Sequence, residues 1–349
     1  MALTILTVVG ARPQFVKAGP VSRAIAEYDG MDEILLHTGQ HFDQGMSDVF
    51  FEDLRLPEPK YNLGISSQTH GKMTAGMLEA IEQILFDEKP DALMVYGDTN
   101  STLAGALAAS KLAIPIIHVE AGLRSFNRRM PEEINRVVTD HLATLQFCPT
   151  QTAVDNLAHE GITRDVFLSG DVMHDATLYA IEARRGDTQL LDRLGLAEAD
   201  YSVCTLHRAE NTDDPENLAQ VCQYLSGVAR DTRLVLPLHP RTRNALAQHS
   251  LAIEGAEIIE PLGYFDFHTL LASCEAIYTD SGGLQKEAYF HRKPCVTLRD
   301  ETEWVETISH GWNRLWQGPD YPAARTEISD YGDGHAAQRI IDQIAASLG

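Results

Sequence analysis

Short, continuous runs of apolar residues alternate with stretches of helical periodicity along almost the whole chain. Such a run is typical of a strand that is buried on both faces of a parallel sheet. Regular alternation of these strands with helices predicts an α/β fold. The helical stretches include residues 75–86 and 103–112. Strands are predicted at residues 3–9, 33–37, 92–96, 114–119, 202–206, 233–238, 257–260, 276–279 and 295–298.

The length of the chain, 349 residues, predicts two domains rather than one. The strand–helix pattern weakens around residues 186–200, where a charged stretch precedes a new strand. We therefore predict a first Rossmann-like domain at residues 1–190 and a second at residues 191–335. Parallel sheets bind ligands at the carboxyl ends of their strands, so two facing sheets would form a binding cleft.

Composition excludes several classes of protein. A net charge of −22 argues against nucleic acid or an anionic membrane as a general partner. No apolar run approaches the roughly 20 residues of a membrane span, and the apolar start of the chain lacks a basic leader and predicts a buried strand rather than a signal peptide. Five widely spaced cysteines without a C-x-x-C pair predict reduced thiols in a cytoplasmic protein.

Charged residues follow the first and third predicted strands, where a parallel sheet places its ligand groups. Arg12 and Lys17 flank the start of a helix and could bind phosphate, although solvated charges in a turn are an equally simple explanation. Asp98 follows strand 92–96. It is either part of a helix cap or an acid or base in a cleft.

Carboxylates and arginines cluster after strand 114–119. Glu120 comes just past that strand, and Glu132 and Glu133 lie in the first turn of the next helix, where they could simply complement the helix dipole. Together, Asp98, Glu120 and Glu132 near one sheet edge favour acid–base chemistry. The arginines of this region are Arg124, Arg128, Arg129 and Arg136.

Two histidine-containing motifs end strands of the second half. His207 stands beside Arg208 at the end of strand 202–206, which favours a ligand group over a core histidine. His239 and Arg241 repeat the pattern after the following strand.

A glycine-containing turn follows strand 276–279. The backbone N–H groups of Ser281, Gly282 and Gly283 open a helix and can approach a diphosphate closely. Glu287, further along that helix, could accept hydrogen bonds from a ribose diol. The alternative is an ordinary small-residue turn with an exposed glutamate. The turn is neither a dinucleotide fingerprint nor a Walker A motif.

Taken together, these clusters resemble the non-hydrolysing UDP-N-acetylglucosamine 2-epimerase family in their order and spacing. The resemblance extends from Gly-Ala-Arg-Pro-Gln at residues 10–14 to Arg-Asp-Glu-Thr-Glu-Trp at residues 299–304. It implies a GT-B-type fold, with UDP held mainly by the second of two Rossmann-like domains that face each other across a cleft. It also implies a homodimer, no metal or other cofactor, and a C-terminal helix at residues 336–349 that crosses back to the first domain.

The resemblance also implies roles for individual residues. Lys17, Asp98, Glu120 and Glu132 match the family's active-site residues, and His207 is a further catalytic candidate that contacts the diphosphate. The substrate-binding candidates are Arg12, Ser281, Gly282 and Gly283 at the diphosphate, Glu287 at the ribose, Phe267 near the uracil, and Arg124, Arg128, Arg136, His239 and Arg241.

Two segments bear on the substrate. Residues 124–130 and the His-Arg-Ala-Glu-Asn-Thr motif at residues 207–212 resemble the subgroup that epimerises UDP-2,3-diacetamido-2,3-dideoxyglucuronate for the O-antigen of lipopolysaccharide. The extra carboxylate of that sugar suits Arg128 and Arg129. Similar segments occur in enzymes that convert UDP-N-acetylglucosamine (UDP-GlcNAc) to UDP-N-acetylmannosamine (UDP-ManNAc), so both substrates stay open.

The family chemistry eliminates UDP, forms a 2-acetamidoglucal, and adds UDP back after the proton returns to the opposite face of C2. Carboxylates for the proton transfers and cations for the departing diphosphate fit this route. The alternatives are a GT-B glycosyltransferase, a hydrolysing epimerase and a non-catalytic nucleotide-sugar sensor. The group of carboxylates around Glu120 and Glu132 favours an epimerase over a glycosyltransferase, and the presence of every candidate acid argues against a sensor.

Overall fold

The computed structural model describes residues 2–40, 51, 53–322 and 324–349. The chain divides into two compact units, Met1–Ala176 with Ser329–Gly349, and Thr177–Ile328. The boundary between the two compact units thus falls after Ala176, whereas the sequence pattern predicts a domain boundary at residue 190.

The first unit contains a seven-stranded sheet in the order β3-β2-β1-β4-β5-β6-β7, in which every pairing is parallel. Its strands are β1 (Leu3–Val9), β2 (Met31–His37), β3 (Tyr61–Asn62), β4 (Ala92–Tyr96), β5 (Ile116–Val119), β6 (Leu145–Cys148) and β7 (Val166–Leu168). Its helices are α1 (Arg12–Glu27), α2 (His70–Glu88), α3 (Asn100–Lys111), α4 (Pro131–Leu142), α5 (Gln151–His159) and, at the end of the chain, α14 (Ala336–Leu348). Helix α6 (Val172–Ala183) runs from this unit into the second.

The second unit contains a six-stranded parallel sheet in the order β10-β9-β8-β11-β12-β13. Its strands are β8 (Ser202–Thr205), β9 (Leu234–Pro237), β10 (Glu257–Ile259), β11 (Ile277–Thr279), β12 (Cys295–Thr297) and β13 (Asn313–Leu315). Its helices are α7 (Gln189–Leu194), α8 (Ala209–Thr212), α9 (Pro215–Asp231), α10 (Pro240–His249), α11 (Tyr264–Ser273), α12 (Gly282–Phe290) and α13 (Val305–Ser309). Two parallel sheets with flanking helices confirm the predicted α/β class.

The central strands are apolar because both of their faces are covered. Every residue of β4 is buried, and so are the last five residues of β1. On one side, α2 and α3 pack on these strands in a cluster that includes Leu6, Val95 and Ile81. Burial of this much aliphatic surface is the main favourable contribution to folding of each unit.

The register of the sheets brings particular strand ends together. In the first unit Val8 pairs with Val95, and Tyr96 pairs with Val119, so β1, β4 and β5 end at one edge. In the second unit Thr279 pairs with Thr205, so β8 and β11 end side by side. The loops that follow these strands carry most of the candidate site residues.

All five cysteines are buried free thiols. Among the described residues, we find no helix with the length and apolarity needed to cross a membrane.

Candidate active site

A buried ion pair lies at the carboxyl edge of the first sheet. Lys17, in the second turn of α1, donates from Nζ to the Oε2 atom of Glu120, which follows β5 directly. Both side chains are buried, 10% and 7% exposed. The ammonium group stabilises the ionised carboxylate, which is the form that can accept a proton. Two residues that are far apart in the sequence therefore meet in an acid–base arrangement.

Gly97, at the end of β4, makes room for this pair. Its φ of +60° lies in the left-handed region that favours glycine. A Cβ atom at residue 97 would lie 3.0 Å from Lys17 Nζ and 3.2 Å from Glu120 Oε2. Glycine is therefore required both by the backbone and by the two charged groups that converge on it.

Asp98 forms a second ion pair at the same edge. Its Oδ2 atom accepts from Arg136 of α4 at 2.5 Å, and its backbone oxygen accepts from the amide of Asn135 at 2.9 Å. The carboxylate of Asp98 remains 29% exposed, whereas Arg136 is buried. Arg136, a predicted substrate-binding residue, is thus a direct partner of a predicted catalytic carboxylate.

Gln14 connects the loops after β1 and β4. Its side-chain oxygen accepts from the backbone N–H groups of Gly10 at 2.8 Å and Ala11 at 3.1 Å. Its amide nitrogen donates to the backbone oxygen of Tyr96 at 3.0 Å and to Thr102 at 3.1 Å. This buried side chain fixes the turn from which α1 starts, and with it Lys17. Arg12 is exposed at the first position of that helix.

A buried hydrogen-bond network supports the loops that follow β4 and β5. Both ring nitrogens of His118 face acceptors, namely Asp140 Oδ1 at 2.7 Å and the backbone oxygen of Gly97 at 2.8 Å. The other oxygen of Asp140 accepts from the backbone N–H of Gly122 at 3.1 Å and from Arg124 at 2.6 Å. Burial alone would raise the pKa of Asp140, but His118 and Arg124 outweigh burial and lower it.

Arg124 is committed to this network. It also forms a two-point ion pair with Glu160, at 2.7 and 2.8 Å, and its side chain is only 1% exposed. The sequence predicted a substrate-binding role, but the structure places the guanidinium in the interior of the first unit. The sequence could not reveal this, because its acidic partners are 16 and 36 residues away.

The segment after Arg124 is held by one carboxylate. The buried side chain of Glu133 accepts from the backbone N–H groups of Ser125 and Phe126, each at 2.9 Å. Arg128 and Arg129 are exposed on this segment, and Glu132 is half-buried in the first turn of α4. Glu133 thus has a structural role, while Glu132 stays available at the surface of the unit.

In the second unit, the N-terminus of α12 lies among charged side chains. Ser281 caps this helix by accepting from the backbone N–H of Leu284 at 3.4 Å. A Cβ atom at Gly282 would collide with the carboxylate of Glu303 and would lie 3.5 Å from a terminal nitrogen of Arg208. Gly283 continues the first turn. Backbone donors and a guanidinium are thus combined, as in anion sites.

Asp280 organises the loop after β8. Its fully buried carboxylate accepts from the backbone N–H groups of His207 at 2.9 Å and Arg208 at 2.8 Å, and from Asn211 at 3.1 Å. The ring of His207 is 41% exposed and lies 6.2 Å from that of His239. Asp280 is a residue that sequence reasoning did not select, although its place directly after an apolar strand was a usable signal.

The other candidates of the second unit are more scattered. His239 caps α10 by accepting from the backbone N–H of Arg241 at 3.2 Å. The guanidinium of Arg241 is bound to Asp213 through two contacts of 2.8 Å. Phe267 packs partly buried against the apolar core, and Glu287 is 8% exposed in α12. Within the described ranges, no group of three or more His, Cys, Asp or Glu residues could hold a metal ion.

Comparison with known sequences places this chain in a family. A profile described as UDP-N-acetylglucosamine 2-epimerase matches residues 23–345. A UDP-2,3-diacetamido-2,3-dideoxy-D-glucuronate 2-epimerase from Pseudomonas aeruginosa is 49% identical over 98% of this chain and 99% of its own length. A UDP-N-acetylglucosamine 2-epimerase from Methanocaldococcus jannaschii is 45% identical over 90% of this chain and 88% of its own.

Solved structures of UDP-GlcNAc 2-epimerases have the same fold as this chain. The Methanocaldococcus jannaschii enzyme in complex with UDP-GlcNAc and UDP is 41% identical and superposes with a TM-score of 0.90, covering 99% of this chain and 100% of its own. The Neisseria meningitidis enzyme bound to UDP-GlcNAc is 29% identical, with a TM-score of 0.89 and the same coverage. These similarities confirm the predicted GT-B-type fold. The chain therefore belongs to the UDP-N-acetylglucosamine 2-epimerase family.

Proposed function

We propose that this UDP-sugar 2-epimerase inverts C2 of UDP-2,3-diacetamido-2,3-dideoxyglucuronate by eliminating and re-adding UDP. The observation that carries the reaction is the buried Lys17–Glu120 pair at the edge of the first sheet. The substrate is supported by the name of the Pseudomonas aeruginosa relative and by the exposed guanidinium groups of Arg128 and Arg129. A second candidate, UDP-GlcNAc, is supported by the name of the Methanocaldococcus jannaschii relative.

The chemistry requires an indirect route. The hydrogen at C2 is not next to a carbonyl and is a poor acid. As the C1–O bond breaks, an oxocarbenium-like centre at C1 makes that hydrogen acidic enough for a carboxylate to remove. The C2–H electron pair becomes a C1=C2 double bond, and UDP leaves with the electrons of the C1–O bond. Protonation of C2 on the opposite face and re-addition of UDP at C1 give the epimer.

Proton transfer on two faces of C2 needs at least two groups. Glu120, ionised beside Lys17, fits a base. Asp98 keeps part of its carboxylate exposed while Arg136 orients it, so it fits a second acid or base. Glu132 is the third candidate, half-buried in the first turn of α4.

Departure of UDP needs a site that stabilises growing negative charge. The N-terminus of α12, with Ser281, Gly282 and Gly283, provides backbone donors and the positive end of a helix dipole. His207 and Arg208 are fixed beside it by Asp280. We propose that these groups bind the diphosphate, with Arg12 as a further cation, and that Glu287 and Phe267 bind the ribose and uracil.

The cellular setting is part of the proposal. By resemblance to the family, we infer a cytoplasmic homodimer without a metal or organic cofactor. The uronate substrate would place the enzyme in synthesis of a surface polysaccharide such as the O-antigen. Buried free thiols are compatible with a reducing compartment.

The substrate can be tested by comparing kcat/KM for the two sugar nucleotides. We expect the uronate to be preferred, and the double variant Arg128→Gln, Arg129→Gln to lose about tenfold or more on it while changing little on UDP-GlcNAc. The double variant Arg193→Gln, Arg230→Gln, at exposed positions of α7 and α9, is the matched control for loss of two surface charges. Faster turnover of UDP-GlcNAc, or equal losses on both substrates, would contradict the assignment.

A further inference from the structure

Two buried histidines, His268 and His291, lie close to Glu287 in the second unit, and neither belongs to the site described above. His268 lies on α11, and His291 directly follows α12. Nδ1 of His268 is 2.8 Å from Nε2 of His291, and Nε2 of His268 is 3.7 Å from an oxygen of Glu287. The three side chains thus form a row from His291 through His268 to the carboxylate.

The row is firmly packed. His268 is 1% exposed, and His291 and Glu287 are each 8% exposed. The ring of Tyr264 meets that of His268 edge to face, with centroids 4.4 Å apart. The backbone N–H of His291 donates to the backbone oxygen of Glu287 at 2.9 Å, so both residues share the last turn of one helix. The imidazole of His268 therefore has little freedom to turn away from Glu287.

Proton positions follow from the neighbours. Burial, and to a lesser degree Lys293, lowers the pKa of His291 to about 3, so this ring is neutral at pH 7. The 2.8 Å contact needs one hydrogen between the two rings. A neutral His268 with its hydrogen on Nδ1 would turn a lone pair toward the carboxylate, which is repulsive. With an ionised carboxylate at residue 287, the favourable arrangements consequently put a hydrogen on Nε2 of His268, facing Glu287.

We propose that His268, oriented by His291, is a positioning residue that holds the Glu287 carboxylate for the ribose diol of the nucleotide. The separation of 3.7 Å is longer than a hydrogen bond and closes with a small rotation of the glutamate side chain. By positioning the carboxylate of Glu287, the two histidines thereby set the preference of the enzyme for ribonucleotides over 2′-deoxyribonucleotides. This inference rests on the proposed function, in which Glu287 binds the ribose.

The test is calorimetric binding of UDP and 2′-deoxy-UDP to the full-length protein. We expect the wild type to bind UDP at least about tenfold more tightly, because a buried charged acceptor is left without its hydroxyl partner in the deoxy complex. His268→Phe keeps the ring volume beside Tyr264 but removes the donor, and we expect the preference to fall to about threefold or less. Glu287→Gln should reduce it in the same way.

Two further variants separate positioning from general damage. His268→Gln can place an amide donor near the position of Nε2, and we expect it to restore most of the preference. Tyr289→Phe removes a buried hydroxyl from α12 that bonds Glu327 at 3.0 Å, and it should leave the preference unchanged. Failure of the wild type to bind UDP would overturn the proposed function. Normal UDP binding with an undiminished preference in His268→Phe would overturn only the role of the histidines.

Discussion

Glu120 adopts a backbone conformation that side-chain-bearing residues rarely adopt, with a φ of +71°. Backbone hydrogen bonds fix this conformation, because the N–H groups of Glu120 and Ala121 both donate to the backbone oxygen of Phe147 at 3.0 Å. Residues held in this region cost about 1–3 kcal/mol and are found at functional sites. The conformation turns the carboxylate toward Lys17, which supports a catalytic role for this residue.

Glu120→Gln is the most informative single substitution. The amide keeps the size of the side chain but cannot accept the C2 proton, so we expect kcat/KM to fall about 100- to 10,000-fold. Binding of UDP should stay within a factor of about three, because Glu120 is not among the groups proposed to bind UDP. Steady-state kinetics and calorimetry measure the two quantities.

Glu27→Gln is the control for that variant, since Glu27 is exposed at the last position of α1. It should have wild-type kinetics. Near-normal turnover of Glu120→Gln would remove this residue from the mechanism.

Asp140 links stability to pH. Because His118 and Arg124 lower its pKa in the folded state, its contribution is complete above the unfolded pKa of about 4 and is lost as pH falls through the lower folded value. We expect Asp140→Asn to lose about 2–3 kcal/mol of unfolding free energy at pH 7, since it removes one of the two carboxylate partners of the buried Arg124 and the charged acceptor beside His118. That difference should shrink as pH falls below about 4.

Urea unfolding at a series of pH values measures this difference. Asp155→Asn, at an exposed position of α5, should show almost no difference at any pH. A difference between Asp140→Asn and the wild type that stays constant down to pH 3 would contradict the assigned network.

At the scale of elements, the C-terminal helix α14 is attached to the first unit by its amino end. Asp175 of α6 accepts from the backbone N–H groups of Ala336 at 3.1 Å and Ala337 at 2.8 Å. Burial raises the pKa of Asp175 to about 6 even though these donors lower it. In the folded protein the carboxyl group therefore keeps its proton to a higher pH than in the unfolded chain.

This raised pKa gives a prediction of opposite sign to that for Asp140. The contribution of Asp175 to stability is complete below its unfolded pKa of about 4 and is lost as pH rises through about 6. Relative to the wild type, Asp175→Asn should therefore gain about 2 kcal/mol of unfolding free energy between pH 4 and pH 7. Urea unfolding measures the gain, Asp342→Asn on α14 is the exposed control, and a flat difference would contradict the assignment.

Whether the sequence predicted a strand correctly depended on the length of the strand and on how apolar it is. Strands β1 and β4 were predicted with their observed limits, because each is a continuous apolar run flanked by polar residues. Strands β3, β6, β7 and β13 were not predicted. β3 has only two residues and the apolar β7 only three, while β6 and β13 contain the buried polar residues Gln146 and Asn313, which break the pattern.

The candidate site, too, could be predicted only in part from the sequence. Sequence position alone located Asp98 and Glu120 at strand ends and Lys17 in the helix that follows the first strand, since the carboxyl edge of a parallel sheet is where ligand groups gather. It could not reveal that Lys17 pairs with Glu120, because 103 residues separate them and the pairing depends on the strand order. For the same reason it missed the support that His118 gives to the Gly97 loop.

At the scale of the whole molecule, all five cysteines are shielded. Burial raises the pKa of Cys222 to about 11 and those of Cys274 and Cys295 to about 12. We expect the native protein to react with a thiol reagent at pH 8 at least about 100-fold more slowly than the urea-unfolded protein, because the thiolate is the reactive form. Rapid labelling of any cysteine under native conditions would contradict the buried positions.

The proposed mechanism requires the enzyme to exchange the C2 proton through elimination and re-addition of UDP. The most direct test is proton NMR of the purified protein in D2O with UDP-2,3-diacetamido-2,3-dideoxyglucuronate and with UDP-GlcNAc in separate samples, without acceptor, NAD or metal. We expect a C2 epimer that carries deuterium at C2, with no accumulation of free sugar. Complete epimerisation without deuterium at C2, or no conversion of either compound, would contradict it.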